Sequence, residues 1–175
     1  LFDSLPIWEN VTFRLRQKEK LSKKLAREIA GDIINQLGLA PHVLDLFPAE
    51  LSGGMQKRAA IAREIADKPE ILLFDEPTSG LDPITSGVIN DLILNSVNRL
   101  GATTLTISHD MASVRQIADT VAMIHQGQII WSGPVADMHD TGIAEVDQFV
   151  NGNAYGPLTL NPPDNNVAQH SEMPV

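Results

Sequence analysis

The sequence predicts an α/β fold with a mainly parallel sheet. Helix-like and strand-like segments alternate along most of the 175 residues. The segment TTLTIS at 103–108 is rich in β-branched residues, which are typical of strands. The segment ILLFD at 71–75 is a short continuous apolar run, as expected for a parallel strand covered on both faces. We therefore expect both faces of that strand to be buried.

The first part of the chain is predicted to be helical. Ser22 is a suitable N-cap, and Gly38 is a typical stop signal, so a helix is expected between them. Its apolar positions recur at helical spacing and are expected in the core: Leu25, Ile29, Ile33, Ile34 and Leu37. The predicted elements are a short helix or turn at 6–13, a helix at about 22–37, a Pro-bounded connector at 39–50 and a helix at about 53–66.

Strands and helices alternate in the rest of the chain up to residue 151. Asp82 and Pro83 are suited to the N-cap and first position of a helix, and Gly101 to its end. Gln126-Gly127 is a plausible hairpin turn between two strands. The predicted elements are strands at 71–75 and 103–108, helices at 83–100 and from Asp110 to about Ala118, the hairpin strands TVAMIH and QIIWSG, and short helices near 134–140 and 143–151.

The charge distribution restricts the partners of the protein. The formal net charge is −9 and aromatic residues make up 5% of the chain, which disfavours nucleic-acid binding. More than half of the Lys and Arg residues lie in RLRQKEKLSKKLAR at 14–27. We interpret this cluster as a solvated helix face, with a surface near anionic lipid or an acidic partner as the alternative. The absence of Cys excludes disulfides and thiolate metal sites.

Two adjacent carboxylates, Asp75 and Glu76, follow the apolar strand at 71–75. Parallel sheets bind ligands at the carboxyl ends of their strands. Because successive strand side chains point to opposite faces, one acid can face a metal while its neighbour faces a water molecule. The alternative is structural, with Asp75 capping a turn and Glu76 pairing with a lysine.

Two further features surround the carboxylates. Ser52-Gly53-Gly54 lies at a predicted helix start, where backbone N–H groups attract phosphate and glycine permits close approach of a ligand. His109 ends the strand at 103–108. Each feature alone is a weak signal, since most such turns merely start a helix and most such histidines are ordinary polar residues.

Together these pieces resemble the ATPases of ABC transporters. LSGGM at 51–55, ILLFDE at 71–76, SGLD at 79–82 and SHD at 108–110 resemble the signature motif, the Walker B strand with its catalytic Glu, the D-loop and the switch His. The resemblance implies the C-terminal part of an ABC-type P-loop ATPase domain, with a mainly parallel sheet flanked by helices. Its implied divisions are a helical subdomain with the signature at 1–66, the second half of a RecA-like α/β core at 67–151, and an extended or disordered tail at 152–175.

The resemblance also implies a role for each motif residue and two cofactors, ATP and Mg²⁺. Asp75 would hold Mg²⁺, Glu76 would polarise the attacking water, and His109 would contact the γ-phosphate. Ser52, Gly53 and Gly54 would bind the γ-phosphate of a nucleotide held mainly by a second copy. Asp82 would lie on the loop that joins the two sites of the homodimer. Met55 departs from the family pattern, which has Gln at this position. A thioether cannot replace the hydrogen bonds of an amide.

The phosphate-cradling motif Gly-x-x-x-x-Gly-Lys-Ser/Thr does not occur in the sequence, nor does the family's Gln-containing loop. The sequence also begins with Leu1 rather than Met. We expect an N-terminally truncated sequence that is inactive alone. A complete but non-catalytic subunit, acting as an ABC-like binding module, is the alternative.

Three longer segments, FDEPTSGLDPITSGVI, LTISHDMASVRQIAD and QFVNGNAYGPL, resemble the Mla-type (toluene-tolerance-type) phospholipid transporter ATPases of Gram-negative bacteria. This resemblance implies a homodimer on the cytoplasmic face of the inner membrane, an integral membrane permease, a periplasmic lipid-binding subunit and a STAS-domain protein. An importer ATPase for a small solute such as an amino acid, and an ABC ATPase acting on DNA or ribosomes, remain open. In the tail, Tyr155, Leu158 and Leu160 offer apolar contacts, and we hypothesise that the tail crosses to the partner subunit.

Overall fold

The computed structural model describes residues 1–158, and its backbone divides into two compact units, Leu1–Ile117 and a second unit that begins at Ala118. The first unit contains α1 (Ile7–Glu19), α2 (Lys23–Gln36), α3 (Gly53–Ile65), β1 (Ile71–Asp75), α4 (Pro83–Leu100), β2 (Thr103–Ile107) and α5 (Met111–Ile117). The second contains β3 (Thr120–His125), β4 (Gln128–Pro134) and α6 (Ala144–Asn151). The predicted divisions at residues 66 and 151 stay predictions.

Helix α1 is longer than the predicted segment 6–13, since it continues to Glu19. Its buried stripe passes through Trp8 and Val11 to Leu15, so the apolar spacing extends one turn into the basic segment. Arg16 and Lys23 both lie over the Trp8 ring, at 5.3 and 5.4 Å from its centroid. The many charged residues between the apolar positions concealed the helical spacing, so the sequence analysis ended the helix too early.

Helix α2 begins and ends as predicted, but one predicted core residue is exposed. The Ser22 hydroxyl accepts a hydrogen bond from the Leu25 N–H at 3.3 Å, and Gly38 adopts a left-handed φ of 69°. Leu25 itself is 45% exposed, so its assignment to the core was wrong. Helix α2 packs against α1 and α3, and the residues buried along it and at its C-cap are Ala26, Ala30, Ile34 and Leu37.

The basic segment at 14–27 finds acidic partners within the chain. The ion pairs are Arg14 with Glu64 at 3.3 Å, Arg16 with Glu9 at 2.9 Å, Arg27 with Asp45 at 2.5 Å, and Lys18 with Asp67. Exposed pairs of this kind contribute little to stability. They favour the interpretation of the segment as a solvated helix face.

Strands β1 and β2 pair in parallel, as predicted, with Ile71 opposite Thr103 and Asp75 opposite Ile107. Leu72 joins the hydrophobic core of the first unit, together with residues of α1, α2, α3 and α4. The predicted burial of both strand faces is wrong for the described residues, because Ile71 and Leu73 are 64% and 71% exposed. Within this unit, helices cover only the face that carries Leu72.

Strands β3 and β4 form the predicted antiparallel hairpin. Gln126 and Gly127 have φ angles of 49° and 78°. Positive φ at both central residues is the type I′ geometry, whose twist matches that of the flanking strands. Gln126-Gly127 therefore closes the hairpin because both residues adopt the positive φ that this turn requires.

The segment after β4 differs from the predicted helix near 134–140, because β4 continues to Pro134 and only the 3₁₀ turn Val135–Asp137 follows. Helix α6 matches the prediction for 143–151. Gln148 then holds the beginning of the tail, donating to the Asn153 carbonyl at 3.2 Å and accepting from the Leu158 N–H at 2.8 Å. Tyr155 is exposed, and Leu160 lies outside the described residues, so the tail hypothesis stays a prediction.

Ile34 and Leu25, a buried and an exposed apolar residue of α2, provide a test of this packing. Ile34→Ala is expected to lower the free energy of unfolding by about 2–5 kcal/mol, because it leaves a cavity under α1. Leu25→Ala is expected to change it by less than about 1 kcal/mol, because the side chain is exposed and alanine is a good helix former. Urea unfolding followed by circular dichroism measures both. Equal losses would contradict the observed orientation of the helix.

Candidate active site

The candidate site is built on the carboxyl ends of β1 and β2. Asp75 is the last residue of β1 and is exposed there. The N–H of Glu76 donates to the Ile107 carbonyl at 2.9 Å, so the main-chain pairing continues one residue past β1. This bond ties Glu76 to the segment that leads from β2 to His109.

Glu76 and His109 are in direct contact. The Nδ1 atom of His109 lies 2.6 Å from Oε1 of Glu76, and the His109 side chain is 72% exposed. Hydrogen bonding to Glu76, followed by its negative charge, raises the pKa of His109 above the ordinary 6.5. Because a carboxylate oxygen only accepts, the proton of this bond belongs to Nδ1. The contact therefore leaves Nε2 of His109 and Oε2 of Glu76 for other partners.

The backbone of Glu76 is held in an uncommon conformation. Its φ of 47° lies in the left-handed region, which is disfavoured for residues other than glycine. The Glu76 carbonyl accepts from Lys57 Nζ at 3.1 Å and from the Ser79 N–H at 3.2 Å. Strained backbone of this kind is often found at functional sites. Together with the bond from the Glu76 N–H to the Ile107 carbonyl, these two contacts hold the main chain of Glu76 on both sides of its Cα atom.

Lys57 is a residue that the sequence analysis missed. It follows Gly53 by four positions on α3, so the two residues lie on the same side of that helix. Its ammonium group links the helix that begins with Ser52-Gly53-Gly54 to the loop after β1. The spacing from the glycine turn was the signal that could have identified it.

The glycine turn starts α3, as predicted. The Ser52 hydroxyl accepts from the Met55 N–H at 3.4 Å and caps the helix. Neither Gly53 nor Gly54 has a positive φ. A Cβ atom at Gly53 would make only an ordinary contact of 3.8 Å with Leu81, whereas one at Gly54 would lie 3.1 Å from Thr85. The backbone conformation therefore does not require glycine at position 53.

The amide next to Met55 has a structural function. Gln56 Nε2 donates to the carbonyls of Pro48 and Leu51, at 3.0 and 3.2 Å. These bonds fasten the segment that precedes the turn. Met55 instead packs against the hydrophobic core. The polar groups of the turn that remain for a ligand are therefore the Ser52 side chain and backbone N–H groups.

Asp82 caps α4, as the sequence predicted. Its Oδ1 atom accepts from the N–H groups of Ile84 and Thr85, both at 3.0 Å, and its Oδ2 atom accepts from the Thr85 hydroxyl at 2.5 Å. The hydrogen bonds from Thr85 hold the pKa of Asp82 below its usual value. This network fixes the loop between β1 and α4.

The site residues open into two clefts of the first unit. One cleft, of about 360 Å³, is lined by Glu76 and His109. The other, of about 520 Å³, is lined by Ser52, Gly53, Gly54 and Asp82. Gly80 and Leu81 border both clefts. The structure thus brings Glu76 and His109 together and places the glycine turn in a separate cleft.

Asp75 is compatible with Mg²⁺ binding. Within residues 1–158 no group of three or more His, Cys, Asp or Glu side chains is arranged to hold a metal ion. Mg²⁺ keeps several waters and is commonly held by one or two carboxylates together with substrate phosphates. A single exposed carboxylate at a strand end fits that requirement. Over the same residues, no helix is both long and apolar enough to cross a membrane.

The contact between Glu76 and His109 predicts a pH dependence. We expect the pKa of His109 in this chain to lie above 6.5, and Glu76→Gln to lower it towards 6.5. A histidine whose pKa is raised on folding stabilises the fold fully below its unfolded value, and that stabilisation disappears as the pH rises through the folded value. Titration of the His109 ring by NMR measures both forms. An unshifted pKa in the parent chain would contradict the contact.

Comparison with known proteins agrees with these features. The family described as "ABC transporter" matches residues 1–79. The chain is 37% identical over 163 residues to the intermembrane phospholipid transport system ATP-binding protein MlaF of Haemophilus influenzae, covering 93% of this chain and 61% of that protein. It is 36% identical over 174 residues to the chloroplastic protein TRIGALACTOSYLDIACYLGLYCEROL 3 of Arabidopsis thaliana, covering 90% of this chain and 50% of that protein.

A further relative and a solved structure extend the comparison. The probable ribonucleotide transport ATP-binding protein mkl of Mycobacterium leprae is 33% identical over 160 residues, covering 91% of this chain and 46% of that protein. The dimeric structure of the ATP-binding cassette MJ0796 bound to ADP and Pi matches with a TM-score of 0.69 and 29% identity, covering 77% of this chain and 59% of that one. The chain thus spans between about half and three fifths of these proteins. It is similar in sequence to ATP-binding subunits of ABC transporters, among them the Mla-type MlaF.

Proposed function

We propose that the protein is the ATP-hydrolysing subunit of an ABC transporter. This chain supplies the water-activating groups, Glu76 and His109, and the glycine turn Ser52-Gly53-Gly54, which is also called the signature turn. The observation that carries the proposal is the 2.6 Å contact between His109 and Glu76 at the ends of two adjacent parallel strands. Ligands of open α/β sheets bind at such strand ends. The match of residues 1–79 to the ABC transporter family supports ATP as that ligand.

Glu76 and His109 divide the chemistry between them. One oxygen of Glu76 holds His109, so the other is the candidate group to orient the attacking water and accept its proton. A positioned base of this kind contributes about 10²–10⁴ in rate. His109 presents Nε2 to the terminal phosphate, and its raised pKa favours the protonated ring, which donates there. Asp75 would hold Mg²⁺, which supplies positive charge against the phosphates.

The signature turn is proposed to act on nucleotide held mainly by a second copy. Ser52, Gly53 and Gly54 lie in a different cleft from Glu76, as expected if they serve a different nucleotide. Gly53 is not needed for the backbone conformation, which supports a role in close ligand approach. Asp82 fixes the loop that borders both clefts. The dimeric form of the MJ0796 cassette supports a homodimer.

Phospholipid is the cargo we propose. The name of MlaF as part of an intermembrane phospholipid transport system supports phospholipid trafficking across the Gram-negative envelope. The subunit would then lie on the cytoplasmic face of the inner membrane and act with a permease, a periplasmic lipid-binding subunit and a STAS-domain protein. The name of mkl favours ribonucleotide transport as a second candidate. A neighbouring gene for a periplasmic lipid-binding protein would favour phospholipid transport. A neighbouring gene for a solute-binding protein would favour a solute importer.

The glycine turn separates function from fold. In the assembled transporter, Gly53→Ala is expected to lower ATP hydrolysis about 10²-fold, because the added methyl group displaces the phosphate from the turn. The same change is expected to leave the free energy of unfolding unchanged or raised by up to about 1 kcal/mol, since glycine is unfavourable in helices. An assay of phosphate release measures the rate of ATP hydrolysis, and urea unfolding measures the free energy of unfolding.

Gly31→Ala is the matched control for this variant. Gly31 is also helical, and its added Cβ would make an ordinary 3.6 Å contact with Leu44, but it borders neither cleft. We expect unchanged hydrolysis and a comparable effect on stability. Full activity of the Gly53→Ala transporter would refute a phosphate-binding role for the turn.

The isolated chain is expected to be inactive. It contains no Gly-x-x-x-x-Gly-Lys-Ser/Thr motif to cradle the phosphates, so Glu76 has no anchored substrate. We expect Mg²⁺-dependent ATP turnover equal to that of the Glu76→Gln chain prepared identically, which defines the contaminating background. Turnover clearly above that background would contradict the proposal that this chain depends on phosphate-binding groups supplied elsewhere.

A further inference from the structure

His109 lies two residues beyond the last residue pair of β1 and β2, so the strand pairing alone does not fix its position. The turn that carries it is also held by Asp110. The Asp110 N–H donates to the Ser108 hydroxyl at 3.1 Å, and Asp110 Oδ1 accepts from the Ala112 N–H at 3.0 Å. Asp110 Oδ2 accepts from the Ser113 hydroxyl at 2.6 Å. The place of His109 therefore depends on the partners of its neighbour.

Ser113 is the centre of a buried polar cluster. Its side chain is 1% exposed, and its oxygen accepts from Asn90 Nδ2 at 2.9 Å and lies 3.3 Å from the Thr78 hydroxyl. Because its single proton goes to Asp110, Thr78 must be the donor of the second contact. The Ser113 hydroxyl thus donates once and accepts twice, which uses its full hydrogen-bonding capacity.

The direction of every bond in this cluster is fixed by two carboxylates. Asn90, which is 2% exposed, also donates to Gln116 Oε1 at 3.0 Å, and Gln116 Nε2 donates to Asp91 at 2.8 Å. Asp91 and Asp110 can only accept, so both chains of bonds must run outward from the Asn90 amide. The Asn90 amide therefore directs Nδ2 towards Ser113 and Gln116, and its buried Oδ1 atom has no hydrogen-bond partner among the described residues.

The cluster connects the two loops of the candidate active site. Thr78 lies two residues after Glu76, and Asp110 lies next to His109. One buried oxygen of Ser113 therefore contacts both loops, while Asn90 attaches it to α4. Ser113 and Asn90 also line the cleft into which Glu76 and His109 open.

We propose that Ser113 is a positioning residue, whose hydroxyl is oriented by Asn90 and sets the contact between Glu76 and His109. The proposal rests on the proposed function in giving that contact its role in ATP hydrolysis, but it concerns the geometry of the contact itself. Ser113 touches neither side chain and acts through Asp110 and Thr78. A residue that merely stabilised α5 would change the free energy of unfolding without changing the contact.

The test is an NMR titration of the His109 ring in the full chain. The His109 signal is assigned by its loss in His109→Gln, and circular dichroism verifies that each variant is folded. Glu76 and Asp110 are the charged groups that raise the pKa of His109. Ser113→Ala is expected to remove most of that rise, because the loops that carry Glu76 and His109 lose their common anchor. Ser113→Cys fills the buried site with a slightly larger side chain that makes weaker hydrogen bonds, and it serves if the alanine variant does not fold.

Ser96→Ala is the matched control, since Ser96 is a buried serine of α4 that does not line the cleft. It is expected to leave the pKa of His109 unchanged. In the Glu76→Gln background, Ser113→Ala is expected to have no further effect, because its partner contact is already lost. A further effect in that background would assign the change to Asp110 and overturn the proposal.

The outcomes separate this proposal from the proposed function. An unshifted His109 in the parent chain would remove the contact between Glu76 and His109 on which both depend. A raised pKa in the parent that survives Ser113→Ala or Ser113→Cys would refute the positioning role alone. A raised pKa that falls in these variants and not in Ser96→Ala supports it.

Discussion

The hydrogen bond from the Glu76 N–H to the Ile107 carbonyl extends the parallel pairing of β1 and β2 past their ends, and the candidate site depends on it. A slip of one residue would turn every strand side chain to the opposite face and would separate Glu76 from His109. The left-handed backbone of Glu76 is tolerated because Lys57 and Ser79 hold its carbonyl. The position of Glu76 relative to His109 therefore depends on the register of two short strands.

The division of the site into two clefts follows from the same architecture. The loop from Glu76 to Asp82 leaves the sheet, passes Gly80 and Leu81, and ends as the cap of α4. The Glu76–His109 contact lies on one side of this loop and the signature turn on the other. One copy of the chain thus presents two separate clefts, and we propose that each is part of a nucleotide site that a second copy completes.

The sequence predicted the elements and motifs well where local chemistry decides them. Ser22, Asp82 and Gly101 mark helix ends through capping and left-handed backbone, which are properties of single residues. It failed where neighbours in space decide. Leu25 is exposed because the buried side of α2 passes through Ala26 and Ala30, and Ile71 is exposed because its strand face has no covering helix in this unit. Lys57 and Ser113 were missed because the contacts that link them to the loop after β1, with Glu76 and Thr78, span 19 and 35 residues of the chain.

The central claim is that one copy's signature turn and the other copy's Glu76 act on the same nucleotide. A crystal structure of the intact assembly with trapped ATP tests it most directly. The account predicts Ser52 within hydrogen-bond distance of a γ-phosphate oxygen of nucleotide bound by the partner, with a Glu76 carboxylate oxygen facing the water in line with that phosphate. Ser52 remote from every phosphate, or Glu76 turned away from the terminal one, would contradict it.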